Sequence, residues 1–136
     1  MVQFNIPGQP QGKARARTLK SGRSYTPAKT VQYENLVKEC YSKTNTEKWF
    51  DKEPLCVQII AHYPVPKSTT KKDRQLIAEH KLLPTKKPDT DNIAKIVCDA
   101  LNGVAYGDDA QIVRLLVTKD YTIGEPSVEV IIGKVE

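Results

Sequence analysis

Little in this chain points to a covalently stapled or cysteine-ligated scaffold. Its 136 residues hold only three cysteines, Cys40, Cys56 and Cys98. They are odd in number and widely spaced, with no Cys-x-x-Cys, so neither a disulfide framework nor a cysteine zinc site is expected; a reducing cytoplasm is. Histidine is scarcer still. His62 and His80 have no partner at ligand spacing and read as structural. No apolar run approaches the roughly 20 residues that span a bilayer, and the start, Met-Val-Gln-Phe-Asn-Ile-Pro-Gly, has no charged, apolar and cleavable signal pattern. Repeats, low-complexity tracts and linkers are also missing. With 39% apolar and 27% charged residues, the chain fits one globular domain, long enough to bury a core without staples.

Acids are missing where bases gather. Residues 1–24 carry Lys13, Arg15, Arg17, Lys20 and Arg23 and no acid. Residues 67–87 carry seven bases against Asp73 and Glu79. The sign then reverses: residues 88–109 hold Asp89, Asp91, Asp99, Asp108 and Asp109 against Lys95 alone. Two basic segments around an acidic one suggest a polyanion-binding surface with a cation-binding spot set into it. A solvated surface with unevenly spread lysines is the plainer account of either basic segment alone.

Periodicity supplies the elements. Val2-Gln-Phe-Asn-Ile6 alternates as a strand ending at Pro7. The Gly/Pro loop from Gly8 to Arg17 lacks the order of a phosphate-binding Gly-Lys-Ser/Thr loop. A helix is predicted over about Ala28–Lys43, with Val31, Leu36, Val37, Cys40 and Tyr41 as its core face. Leu55–Tyr63 reads as a strand stopped by Pro64 and Pro66, and Ser68–His80 as a polar surface helix capped by Ser68. Gln111–Lys119 and Ser127–Gly133 complete four strands, three of which can pair antiparallel. The fold class is α+β, a small mixed sheet with covering helices.

The segment Lys87–Gly103 is the best-defined element. At about 100° per residue, Ile93, Ile96, Val97, Ala100 and Leu101 cover one side of a helix. Asp91, Lys95, Cys98, Asp99 and Asn102 cover the other. Asp89, Thr90 or Asp91 suits the N-cap and Gly103 the C-cap. A purely structural account reads Asp91–Lys95 and Lys95–Asp99 as i,i+4 ion pairs worth about 0.3–0.5 kcal/mol each. That account leaves out Asp89 and the second acidic group, Tyr106-Gly-Asp-Asp-Ala-Gln-Ile112. A strand-like entry after Pro88 would let Asp89 and Asp91 converge, and the Gly103–Gly107 turn would return Asp108 or Asp109 to them. Crowded carboxylates call for a hard divalent cation, Mg²⁺ or Mn²⁺. An EF-hand fails, because Ala94 takes the glycine position and Ala100 that of the bidentate glutamate. Carboxylate-held metal in a basic surface suits phosphodiester hydrolysis, with Lys95 placed to neutralise a phosphate oxygen or position the water.

These residues resemble a known family. Lys-Pro-Asp-Thr-Asp-Asn-Ile-Ala-Lys-Ile-Val-Cys-Asp-Ala-Leu-Asn-Gly followed by Gly-Asp-Asp-Ala-Gln-Ile is similar to the RusA family of Holliday junction resolvases. The Gly-Gln-Pro-Gln-Gly-Lys-Ala-Arg-Ala-Arg start looks like members from bacteria and their phages or prophages. The resemblance implies a cytoplasmic, Mg²⁺-dependent endodeoxyribonuclease, with Mn²⁺ as a substitute, built as an intertwined homodimer. Such enzymes bind four-way DNA junctions and cut two opposing strands during recombination and repair. Matched by motif, Asp89, Asp91 and Asp109 would be the metal-binding catalytic acids and Lys95 the essential lysine. Asn92, Asp99 and Asp108 would support them. Lys13, Arg15, Arg17, Lys86 and Lys87 would meet DNA. Two alternatives stay open: a catalytically silent junction-binding protein, and a metal nuclease acting on other branched or single-stranded nucleic acid.

Overall fold

The computed structural model describes residues 1–135. Strand β1 (Val2–Pro7) buries Val2, Phe4 and Ile6 and exposes the residues between them. The Gly/Pro loop that follows ends in a short hairpin, β2 (Arg17–Thr18) with β3 (Ser24–Tyr25), which the sequence pattern does not announce. Helix α1 (Ala28–Thr44) matches the expected span, and of its expected core face Val37 and Tyr41 are fully buried while Val31 is not. Its buried stripe is Thr30, Tyr33, Val37 and Tyr41; Val31 is 41% exposed, and Leu36 and Cys40 are half-buried. Two aromatic rings bury more area than Val31 and Leu36 would. Tyr41 also meets Phe4 edge-on with ring centres 5.6 Å apart, which ties the helix to β1.

Strand β4 (Leu55–Pro64) runs through the middle of the sheet. Helix α2 (Lys71–Ala78) is shorter than the polar segment suggests, because Thr70 rather than Ser68 caps it by accepting from the Asp73 N–H at 3.1 Å. Ile77 is its one buried side chain. Helix α3 (Thr90–Ala100) follows, with Asp89 at the N-cap. Leu101 is its C-cap, and Gly103, two residues on, takes the left-handed φ of +75° that turns the chain back. A single 3₁₀ turn, Asp109–Gln111, leads into β5 (Ile112–Thr122), and β6 (Ser127–Lys134) ends the fold.

The strand order is β1-β6-β4-β5. β1 with β6 and β6 with β4 are antiparallel, while β4 with β5 is parallel. The parallel pair is the one joined through α3, as a crossover connection requires. This is the expected mixed α+β sheet with three strands antiparallel. Val57, Ile59, Ala61 and Tyr63 of β4 join Val128, Val130 and Ile132 of β6 in one buried layer with α1 and α3. The other face of β4, Cys56, Gln58, Ile60 and His62, is only half-buried. β5 is the sheet's edge, and its Val113, Leu115 and Leu116 are 48–58% exposed. No helix among the described residues is long and apolar enough to cross a membrane.

Ile93, Ile96, Val97, Ala100 and Leu101 are each at most 1% exposed, so the predicted apolar side of α3 is its buried side. Cys98, expected among the polar-side residues, is only 7% exposed and packs at the border with the core. Ile96→Ala should therefore cost about 2–5 kcal/mol, the usual range for a fully buried large-to-small change, read from the urea unfolding midpoint.

Candidate active site

Helix α3 and the turn after it place the charges of the acidic segment, beginning with Asp89 and Asp91 at the helix start. The N-terminal basic loop is pressed against the first turn of that helix. Lys13 N–H donates to the Asn92 carbonyl at 3.1 Å. A Cβ on Gly12 would stand 2.9 Å from Pro88 Cβ and 3.0 Å from Asn92 Cβ, so only glycine allows the approach. Together they wall a hollow of about 520 Å³ lined by Lys13, Arg17, Lys29, Lys87, Asp89 and Asn92 among others. Arg15 is exposed and lines neither this hollow nor the next. Lys13 is the most committed of these bases. Its Nζ lies 2.8 Å from Glu34 on α1 and 3.5 Å from Asp99 on α3. Burial opposes its charge, but these two carboxylates outweigh that and raise its pKa.

A second hollow, about 390 Å³, opens on the other side of α3. Asp91, Lys95, Asp99 and Asp109 line it with Ala94, Cys98, Ile112 and Leu115. The structure thus brings Asp91 and Asp109 to one hollow, joined by Asp99, while Asp89 lines the basic one. Asp89 makes no side-chain cap bond although it is the N-cap residue. Among the described residues Lys95 forms no ion pair, so neither predicted i,i+4 bridge exists. Caps and helix salt bridges therefore do not account for these charges.

Asp109 is held from several sides. Its N–H donates to Asn102 Oδ1 at 2.8 Å. Gln111 accepts at Oε1 from the N–H groups of Gly107 and Asp108, at 2.9 and 3.2 Å. Its Nε2 donates to the carbonyls of Trp49 and Glu53, at 2.9 and 3.1 Å. One amide thus fixes the acidic turn to the chain that enters β4. Partial burial, and then the carboxylates of Asp108 and Asp99, push the Asp109 pKa up. Crowding of this kind is what a cation relieves. The lining is carboxylate oxygen with no available thiolate: burial above all lifts the Cys98 thiol to about 12. The donor set fits a hard divalent ion that keeps part of its water shell. Among the described residues no three Asp, Glu, His or Cys side chains stand close enough to grip one ion.

A family model, endodeoxyribonuclease RusA, matches residues 7–133. The chain belongs to the RusA endodeoxyribonuclease family. It is also 35% identical over 139 aligned positions to YqaN, an uncharacterised protein of Bacillus subtilis (strain 168), covering 98% of this chain and 96% of that one.

Within this RusA-family fold, sequence reasoning missed Gly12, Lys29, Asn102 and Gln111. Asn102 carried a signal in its place on the polar side of α3 and Gln111 in Asp-Asp-x-Gln, but neither pattern reveals which backbone groups an amide will reach. Two outcomes follow. Gln111→Ala should cost about 1–3 kcal/mol, the range for buried partners left unpaired, measured by chemical unfolding. Asp109→Asn should raise the thermal midpoint at pH 7. An acid whose folded pKa is raised destabilises the fold once it ionises, so the gain should fade below about pH 4, where the carboxyl is protonated in both states. Thermal melts of both proteins at the two pH values measure it.

Proposed function

We propose that this chain is a Mg²⁺-dependent endonuclease that resolves four-way DNA junctions by paired strand cuts as a homodimer. The observation that carries the reading is the pair of hollows, one basic and one acidic, that meet across the first turn of α3. Family membership over residues 7–133 gives the reaction class. Arg17, Lys29 and Lys87 receive backbone phosphates on the basic side and deliver the strand across the helix start. Asp91 and Asp109 would hold Mg²⁺ from the acidic side, and Asp89 would join them by turning its carboxylate across the helix start from the basic side. The chemistry Mg²⁺ would supply there is charge withdrawal from the phosphate and a lowered pKa for the attacking water. Lys95, without a carboxylate partner among the described residues, would steady the charge that grows on the phosphate oxygens. Asp99 and Asp108 set the local negative field, and Asn92 holds the basic loop in place.

Two opposed cuts need two sites. β5 is an edge strand with exposed Val113, Leu115 and Leu116, the kind of surface proteins normally cover. A second copy there would bury it and supply the second site.

The test is cleavage of end-labelled four-way junctions beside linear duplex and single strand, with Mg²⁺ or with EDTA. Paired symmetric nicks confined to the junction are expected, lost with EDTA. Asp89→Asn and Asp91→Asn should each lower the rate by at least about 100-fold, and Asp89→Asn should keep or strengthen binding because a negative charge leaves the DNA-facing surface. Either variant cutting like wild type in Mg²⁺ would overturn its metal role. Binding without cleavage in any metal would favour a silent junction-binding protein, and nicks on flaps or single strands a different nuclease.

A further inference from the structure

Lys119 lies outside both hollows and outside every motif. Register decides where it points. In the β4–β5 pairing it stands beside Ala61, two residues before Tyr121 stands beside Tyr63. It therefore occupies the helix-facing side of the sheet, in phase with Val117 and Tyr121. A lysine there must lead its ammonium along the sheet to polar company. Its Nζ lies 5.4 Å from the Tyr63 ring centre and donates to the Lys86 carbonyl. The Lys86 Nζ lies 5.7 Å from the same ring centre.

Two ammonium groups at 5.4 and 5.7 Å from one ring centre concentrate positive charge around it, which the ring's quadrupole offsets only in part. Among the described residues neither lysine pairs with a carboxylate. An ammonium has three donors, and Lys119 directs one of them to Lys86. What the pair lacks is an anion. Its location names the class: the Tyr63 hydroxyl lies 3.4 Å from the Pro88 carbonyl, one residue before Asp89. Lys87, the next residue after Lys86, lines the basic hollow, so the charged surface is continuous.

We propose that Lys119 and Lys86, converging on Tyr63, form a seat for a DNA backbone phosphate flanking the one that is cut. This rests on the proposed reading of the chain as a junction nuclease. The seat fixes the strand where it arrives at Asp89, and Lys119 adds a contact from the four-stranded sheet, while Arg17, Lys29 and Lys87 stand on the short hairpin, the start of α1 and the loop before α3.

The experiment is equilibrium binding of the full chain to a labelled four-way junction in EDTA, across salt from about 50 to about 200 mM. Lys119→Met, Lys86→Met and Lys119→Arg are compared with wild type. Each Met variant should flatten the slope of log affinity against log salt by about 0.9. It should therefore lose about 3.5-fold less affinity than wild type over that range. Lys119→Arg should keep the wild-type slope. Wild-type slopes in both Met variants would overturn the seat, even if Lys119→Met lowers the melting temperature, because Lys119 would then only tether the Lys86 carbonyl. Should Lys119→Met not fold, the exposed Lys86→Met decides alone. A wild-type protein that binds and cuts junctions while the variants keep its slope overturns the seat only. A wild type without salt-dependent DNA binding would overturn the nuclease reading as well.

Discussion

Five side chains on one side of α3 set the rotation of that helix, and the rest of the charged architecture follows from it. Ile93, Ile96, Val97, Ala100 and Leu101 are sealed against the sheet and α1. Fully burying one large aliphatic side chain contributes about 1.5–3 kcal/mol, so turning the helix by even one residue position would expose several at once. With the apolar side fixed, Asp91, Lys95 and Asp99 have nowhere to go but outward. The strand-like backbone at Asp89, with φ −69° and ψ 155°, then carries its carboxylate to the opposite side of the same turn. The two hollows are two sides of one packing decision.

The acidic hollow is held against its own electrostatics. Asp99, Asp108 and Asp109 repel one another, and burial adds to the cost of charge at Asp109. Nothing local favours that arrangement, so it must be imposed by its surroundings. Asn102 and Gln111 impose it through the backbone: they hold N–H groups of the turn without themselves engaging a carboxylate. Tyr106 works at a second level. Its buried hydroxyl donates to the Cys98 carbonyl at 2.7 Å, while Gly103 N–H donates to the Tyr106 carbonyl at 2.8 Å. A turn braced this way keeps its acids crowded, at an energetic cost that sites built for a ligand commonly carry.

How much of this the sequence discloses depends on the range of the physics involved. The α3 faces were legible because an uninterrupted 3.6-residue period needs only one surface to pack against. The sheet class was legible from the alternating strands and the crossover between two of them. On α1 the expected face held Val37 and Tyr41 but put Val31 in the core in place of Tyr33; the ring of Phe4, far away in sequence, packs on Tyr41 and is not visible in the helix's own pattern. Thr70 won the cap of α2 over Ser68 through a difference of two residues, inside the normal uncertainty of helix ends. Gly12 carried no local signal at all, since its need for glycine comes from Pro88 and Asn92. Lys119 was detectable in principle, as a charged residue in phase with apolar ones, but only the register beside β4 gives it Tyr63 as a neighbour.

The basic residues near the N-terminus are likewise not interchangeable, although they look alike in sequence. Lys13 bridges Glu34 of α1 and Asp99 of α3. It therefore acts first as an internal tie, and its charge is largely matched before any polyanion arrives. Arg17 lines the basic hollow without such a partner among the described residues, which leaves its charge available. Asp99, the far end of the Lys13 bridge, belongs to the lining of the acidic hollow and adds to the crowding of Asp109. The two hollows are thus linked by one lysine as well as by one helix. Drawing the basic loop away from α3 would loosen Lys13 from Asp99 and leave the acidic side more negative, so the charge of one hollow is set in part by the loop that walls the other.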